Sequence, residues 1–187
     1  INEQTKGFKM STYIIAEIGI NHNGDMKLAK ELITTSYTSG CDAVKFQKRD
    51  IESVYTQEEL DIPRESPFGT TTREQKEGIE FSIEEYKELQ AYTHELGLDF
   101  IVSCWDEKSL DLVEEHLDVK YHKIASAMAT NKSFLKKLNN TGKPVILSVG
   151  MCNDDEVQAA METLHSVKYV LACTSTYPTK AEEVNLR

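Results

Sequence analysis

The chain has 187 residues, 31 acidic against 21 basic side chains, and a formal net charge of −10. It is long enough to bury a sizeable core, and 40% apolar residues is ordinary for one α/β domain. The acidic balance argues against nucleic acid or an anionic membrane as the main partner. No apolar run approaches the ~20 residues of a membrane span, and no signal peptide is visible.

Residues 1–9 read as an extension ahead of "MSTYIIAEIG", which looks like a natural start at Met10. A first strand is expected over 13–18. The stretch "IIAEIGINHNGD" then breaks into an acid, two glycines and an Asn-His-Asn run. Gly19 and Gly24 suit a tight turn, and Asp25 suits the N-cap of a helix over 26–39. That helix carries Met26, Leu28, Ala29, Leu32 and Ile33 at helical spacing and ends at Gly40. A second strand is expected over 43–46. The segment 47–82, rich in Thr, Arg, Glu and Pro, reads as one long loop, functional or disordered. Ser82 with Glu85 makes a capping box opening a helix over 83–97.

Strands at 99–102, 119–124, 144–149 and 169–173 then alternate with helices at 107–117, 131–140 and 154–166. The strands are Val/Ile-rich and uninterrupted, which predicts a parallel sheet buried on both faces. The acids of "NDDE" at 153–156 suit a helix N-terminus. Cys41, Cys104, Cys152 and Cys173 show no Cys-x-x-Cys spacing, and reduced, buried thiols in a cytoplasmic protein are expected.

A strict βαβα series fits either a doubly wound sheet or a (β/α)8 barrel. Every one of the strands delivers polar groups at its carboxyl end: Glu17; Lys45 and Gln47; Ser103; Lys123 and Ser126; Ser148; then Thr174, Ser175 and Tyr177. A barrel gathers its site from all strand ends, whereas a doubly wound sheet concentrates it at one switch point, so the (β/α)8 TIM-barrel type is expected.

Lys45 in "AVKFQK" and Lys123 in "YHKIAS" lie inside apolar strands, where an unpaired lysine is penalised or loses its proton. Each has two readings: a lysine paired with a carboxylate or reaching water, or part of an anion site. Lys45 and Gln47 share parity and face the same way. Two ammonium groups converging with Ser126 and Ser148 suit a small polyanion such as a phosphate ester. No phosphate loop or dinucleotide fingerprint is present. Glu17 is open to three roles: general acid/base, hydroxyl binding, or ion pairing with Lys45. His22 and His122 are candidate ligands, with a hydrogen-bonded structural role the commoner reading. Trp105 and Tyr177 suit either a sugar site or rim packing. No metal-ligand cluster stands out.

The stretches "AEIGINHNG", "AVKFQ", "FGTTTREQKEGIEFS", "HKIASA", "PVILSVGM" and "CTSTYPTKAEEVNLR" occur in order from about Tyr13 to Arg187. Together they resemble the sialic acid synthase family, including pseudaminate and legionaminate synthases. The resemblance implies a (β/α)8 barrel that condenses phosphoenolpyruvate (PEP) with an open-chain N-acetylhexosamine, giving a nine-carbon 2-keto sugar acid and phosphate. It implies that Lys45, Gln47, Ser103, Lys123, Ser126, Ser148 and Ser175 hold PEP, that Glu17 works near the aldehyde, and that Tyr177 lines the sugar pocket. It also implies a divalent metal, Mn²⁺ or Mg²⁺, whose histidine ligands are expected beyond residue 187.

By the same resemblance, residues 10–187 are expected to supply about six of the eight βα units. The last strands and a small antifreeze-like domain are expected to lie outside the sequence, and a homodimer is expected at full length. Met128 departs from relatives with Glu at that position, and Ser175 from those with Asn. Two alternatives stand beside this reading. One is another PEP-condensing or aldolase-type barrel acting on a sugar phosphate; the other is an inactive fragment or assembly module.

Overall fold

The structure, a computed structural model, describes residues 12–184. The expected extension at 1–9 lies outside the described residues. Strand β1 (Ile15–Gly19) leads through a tight turn to helix α1 (Met26–Thr38). Asp25 caps that helix: its Oδ1 accepts from the backbone N–H groups of Lys27 at 2.7 Å and Leu28 at 3.1 Å. Gly24 makes the turn possible, because its φ is +71° and a Cβ there would come within 2.0 Å of the Gly78 carbonyl oxygen.

Strand β2 (Ala43–Lys48) follows, and then the segment expected as one long loop. It is instead built of short elements: α2 (Ile51–Val54), α3 (Gln57–Leu60), the antiparallel pair β3 (Pro63–Ser66) and β4 (Gly69–Thr71), and α4 (Thr72–Ile79). Capping boxes at Thr56/Glu59 and Thr71/Glu74 start α3 and α4. Each satisfies two orphan N–H groups, which lets such short helices form.

The regular series resumes with α5 (Ile83–Glu95), β5 (Asp99–Cys104), α6 (Glu107–His116), β6 (His122–Ile124), α7 (Lys132–Asn139), β7 (Val145–Ser148), α8 (Asp154–Thr163) and β8 (Val167–Leu171). One-turn 3₁₀ helices lie at Ser126–Met128 and Ala181–Glu183.

The main sheet has six parallel strands in the order β1-β2-β5-β6-β7-β8 and curls into a half-barrel, so the barrel-type α/β expectation holds. Helices cover its outer face. Val44, Phe46, Phe100, Val102, Ile124, Val145 and Leu147 pack there against Ile33, Tyr86, Leu89, Leu110, Phe134 and Leu138 in one continuous core. Burying each large side chain contributes about 1.5–3 kcal/mol, which makes this layer the main source of stability. The inner face carries a smaller apolar cluster of Ala43, Ile101, Tyr121 and Ile146, with Tyr13 and Ile15 against it.

Two expectations need correction. The last strand begins two residues earlier than its sequence suggested, and it is not buried on both faces: Tyr169, Val170 and Leu171 are 44%, 45% and 37% exposed. It lies at the end of the strand order, where it has one neighbour. The cysteines are free thiols, but only Cys104 is buried; Cys41 and Cys152 are half-buried and Cys173 is exposed.

Candidate active site

Alternation along the strands sorts their polar residues between the two faces. Register places Glu17 beside Lys45, Gln47 beside Ser103, and Lys123 beside Ile146. These residues share the inner face with the apolar cluster and sit above it, at the carboxyl ends of the strands. Lys45 Nζ lies 2.6 Å from Glu17 Oε2. Gln47 Nε2 donates to the other oxygen, Glu17 Oε1, at 3.3 Å. Gly19 leaves room for that contact: a Cβ on its φ +57° backbone would stand 2.8 Å from Glu17 Oε1 and 3.2 Å from Gln47 Nε2.

Lys45 is 5% exposed, and burial lowers its pKa, with Glu17 opposing and Arg49 reinforcing the shift. Lys123 has no ion-pair partner among the described residues. Its pKa is lowered to about 8, first by burial and then by repulsion from Lys45, against a smaller pull from Glu17 and Cys173. The two strand lysines therefore share one field, with one carboxylate between two cations. This is a site short of negative charge.

Among the expected serines, Ser103 Oγ donates to the Lys123 carbonyl at 3.0 Å, which ties β5 to β6 beside the lysines. Ser148 is buried at the end of β7. Ser126 opens the 3₁₀ turn after β6, and its carbonyl accepts a long contact from Cys152 Sγ at 3.8 Å. Ser175 Oγ donates to the Gly150 carbonyl at 2.9 Å, linking the loops after β7 and β8. Tyr177 is not drawn into this group. It is 97% exposed and lines a groove along β8 with Cys173 and Thr174.

The histidines are structural. His22 is buried, its ring stacks on Phe81 at 4.2 Å, and its Nδ1 accepts from the Gly24 N–H at 3.1 Å. Burial lowers its pKa to about 4, so it is neutral at pH 7. His122 pairs with Val102 on the helix-facing side of the sheet, where its Nε2 lies 2.9 Å from Glu114 Oε1. Lys143 Nζ donates to that same oxygen at 2.8 Å.

Sequence reasoning missed a second set of residues at the rim. Lys48 lies on the outer face of β2 and donates to Glu80 Oε1 at 2.8 Å and to the Phe81 carbonyl at 3.0 Å. Arg49 donates to Gln47 Oε1 and stacks over the Trp105 ring at 4.4 Å. The adjacent cationic run "KFQKR" was the only sequence signal for either.

Among the described residues, no three His, Cys, Asp or Glu side chains converge as a metal ion requires. Glu17, the carboxylate between the strand lysines, is already engaged by Lys45 and Gln47. These residues do not fit the divalent metal that the resemblance implies.

Fold and site define a barrel-type α/β protein with a cluster of two lysines and one carboxylate on its strand ends. The family model described as the NeuB family matches residues 32–187, and the chain belongs to that family. It is 38% identical over 186 residues to the N-acetylneuraminate-9-phosphate synthase of Mus musculus, covering 97% of this chain and 52% of the relative. It is 37% identical over 193 residues to the N,N'-diacetyllegionaminic acid synthase of Legionella pneumophila, covering 97% and 54%. Among solved structures, the N-acetylneuraminic acid (sialic acid) synthetase of Leptospira borgpetersenii, in complex with citrate, superposes with a TM-score of 0.76 at 27% identity. That match covers 93% of this chain and 58% of that one. The chain spans about half the length of the curated relatives it matches.

Proposed function

We propose that the chain forms the PEP-binding half of a sugar-acid synthase, which condenses PEP with an open-chain N-acetylhexosamine to give a nine-carbon 2-keto sugar acid and phosphate. The observation that carries this reading is the pair of strand lysines, Lys45 buried and Lys123 half-buried, with the one carboxylate of Glu17 acting on both. A phosphate ester that also bears a carboxylate supplies the missing negative charge. The names of the curated relatives support the same class of product.

In this reading Lys45 and Lys123 hold the PEP carboxylate and phosphate. Gln47, Ser103, Ser126, Ser148 and Ser175 supply further donors around them. C3 of PEP attacks the sugar aldehyde and forms the new C–C bond. Water adds at C2, the C2–O bond to phosphate breaks, and phosphate departs. The attacking water, whose oxygen becomes the C2 carbonyl, loses two protons: one goes to the aldehyde oxygen and the other leaves with the phosphate. Glu17, half-exposed at the mouth, is placed to carry the first of them.

The test is phosphate release from PEP in the presence of Mn²⁺ and either N-acetylmannosamine or its 6-phosphate, since the relatives' names include both phosphorylated and unphosphorylated products. Release with the unphosphorylated sugar is expected. Release with the 6-phosphate alone would keep the condensation and change its acceptor to a phosphorylated hexosamine, in line with the name of the Mus musculus relative. No release from any hexosamine by the whole protein would remove it.

A further inference from the structure

Arg49 stands outside the residues assigned to substrate, yet it is built into their framework. Its guanidinium donates to Gln47 Oε1 and lies over the Trp105 ring, 4.4 Å from the centroid. Its backbone N–H donates to Glu80 Oε1 at 3.1 Å, and the backbone N–H of Trp105 donates to the Lys48 carbonyl at 3.0 Å. The main chains of both stacked residues are therefore tied to β2 and its following loop.

Gln47 has two ends of nearly equal shape and opposite character. Turned one way, its amide offers Glu17 a donor; turned the other way, it sets an oxygen against a carboxylate. Arginine has donors and no acceptor, so it selects the first orientation. The amide oxygen must face Arg49, and Nε2 then faces Glu17 Oε1 at 3.3 Å. The second oxygen of Glu17 is held by Lys45 at 2.6 Å. The outcome is one chain of contacts across the mouth: Trp105 stacks on Arg49, and polar contacts link Arg49, Gln47, Glu17 and Lys45 in turn.

We propose that Arg49 is a positioning residue that fixes the Gln47 amide and, through it, presents Glu17 to substrate in a single orientation. This rests on the reading of Gln47 and Glu17 as substrate contacts. A residue that acts only through another has no effect once that other is removed.

The test is a double-mutant cycle in the whole protein. Arg49→Met keeps an apolar stem on Trp105 and removes the donors; Arg49→Lys keeps a cationic donor. We expect Arg49→Met to lower kcat about tenfold, with KM for PEP changed by less than about threefold, and Arg49→Lys to recover part of the loss. In a Gln47→Ala background, Arg49→Met is expected to change kcat by less than about twofold. A full loss in that background overturns the proposal. The Gln47 side-chain NH₂ resonances, followed by ¹⁵N NMR without substrate, provide a readout independent of turnover. They should shift in Arg49→Met and remain near their original position in Arg49→Lys; unmoved resonances in Arg49→Met also overturn it. Shifted resonances in a protein that turns over no hexosamine would remove the proposed function and leave the positioning role standing.

Discussion

Lys45 and Lys48 stand three residues apart on β2, on opposite faces of the sheet, and both are buried. On the helix-facing side, Lys48 finds a closed environment. It bonds the Glu80 carboxylate and the Phe81 carbonyl, and the Tyr86 ring lies 5.6 Å away. On the concave side, Lys45 shares one half-exposed carboxylate with Lys123, which has no carboxylate of its own. A satisfied buried ion pair fixes structure. An unsatisfied pair of cations leaves an energetic deficit that an anion can relieve. The same residue type on the same strand is thus structural on one face and a binding group on the other.

The largest effect that would break this contrast lies on the helix-facing side. Lys48→Met leaves Glu80 buried without its cation and should cost about 3 kcal/mol of stability in chemical denaturation. An unchanged midpoint would mean that the pair is not structural. On the concave side the signs separate. Lys123→Met should weaken PEP binding by more than about tenfold in calorimetry while raising stability by about 1 kcal/mol, because a poorly compensated charge is removed. Loss of stability together with loss of binding would make Lys123 a second Lys48.

A smaller effect comes from pH. Lys123 holds its proton less tightly when folded, with a pKa of about 8 against its ordinary 10.5. Between those values the unfolded chain binds more protons, so the Lys123 contribution to stability rises with pH across that window. PEP binding should move the other way and weaken as pH rises through about 8, because the ammonium that receives the anion is lost. Affinity that stays flat from pH 7 to about 9.5 would detach Lys123 from the anion site. The smallest expected change is in Ser148→Ala, which removes one neutral donor and should weaken PEP only a few-fold, with no measurable change in stability.

Much of this contrast was legible before the fold. The apolar strands, the Asp25 cap and the Ser82/Glu85 box are local features, and the structure places them where the chain suggested. The shared parity of Lys45 and Gln47 was also legible, and both contact Glu17. The segment 47–82 was misread because its elements are short and its apolar periodicity weak. Its Thr-x-x-Glu capping boxes at Thr56/Glu59 and Thr71/Glu74 were the available signal. Lys48 fell within the segment read as a loop, because its partner, Glu80, lies 32 positions away and no local pattern announces that pairing. The exposure of β8 follows from its place at the end of the strand order, although Val167, Val170 and Leu171 are as apolar as the residues of β7.

By itself, the sequence determined the βα series and carried Glu17, Lys45, Gln47 and Lys123 to strand ends, because strand period and helix caps are local properties of the chain. Only the tertiary structure decided which lysine faces the mouth and which the helices. It also set His122 against Glu114 rather than in the site, and placed Arg49 between Gln47 and Trp105. Those outcomes depend on register between strands and on contacts between residues distant in the chain. Both are fixed when the sheet buries its outer face, and neither is encoded in any single stretch.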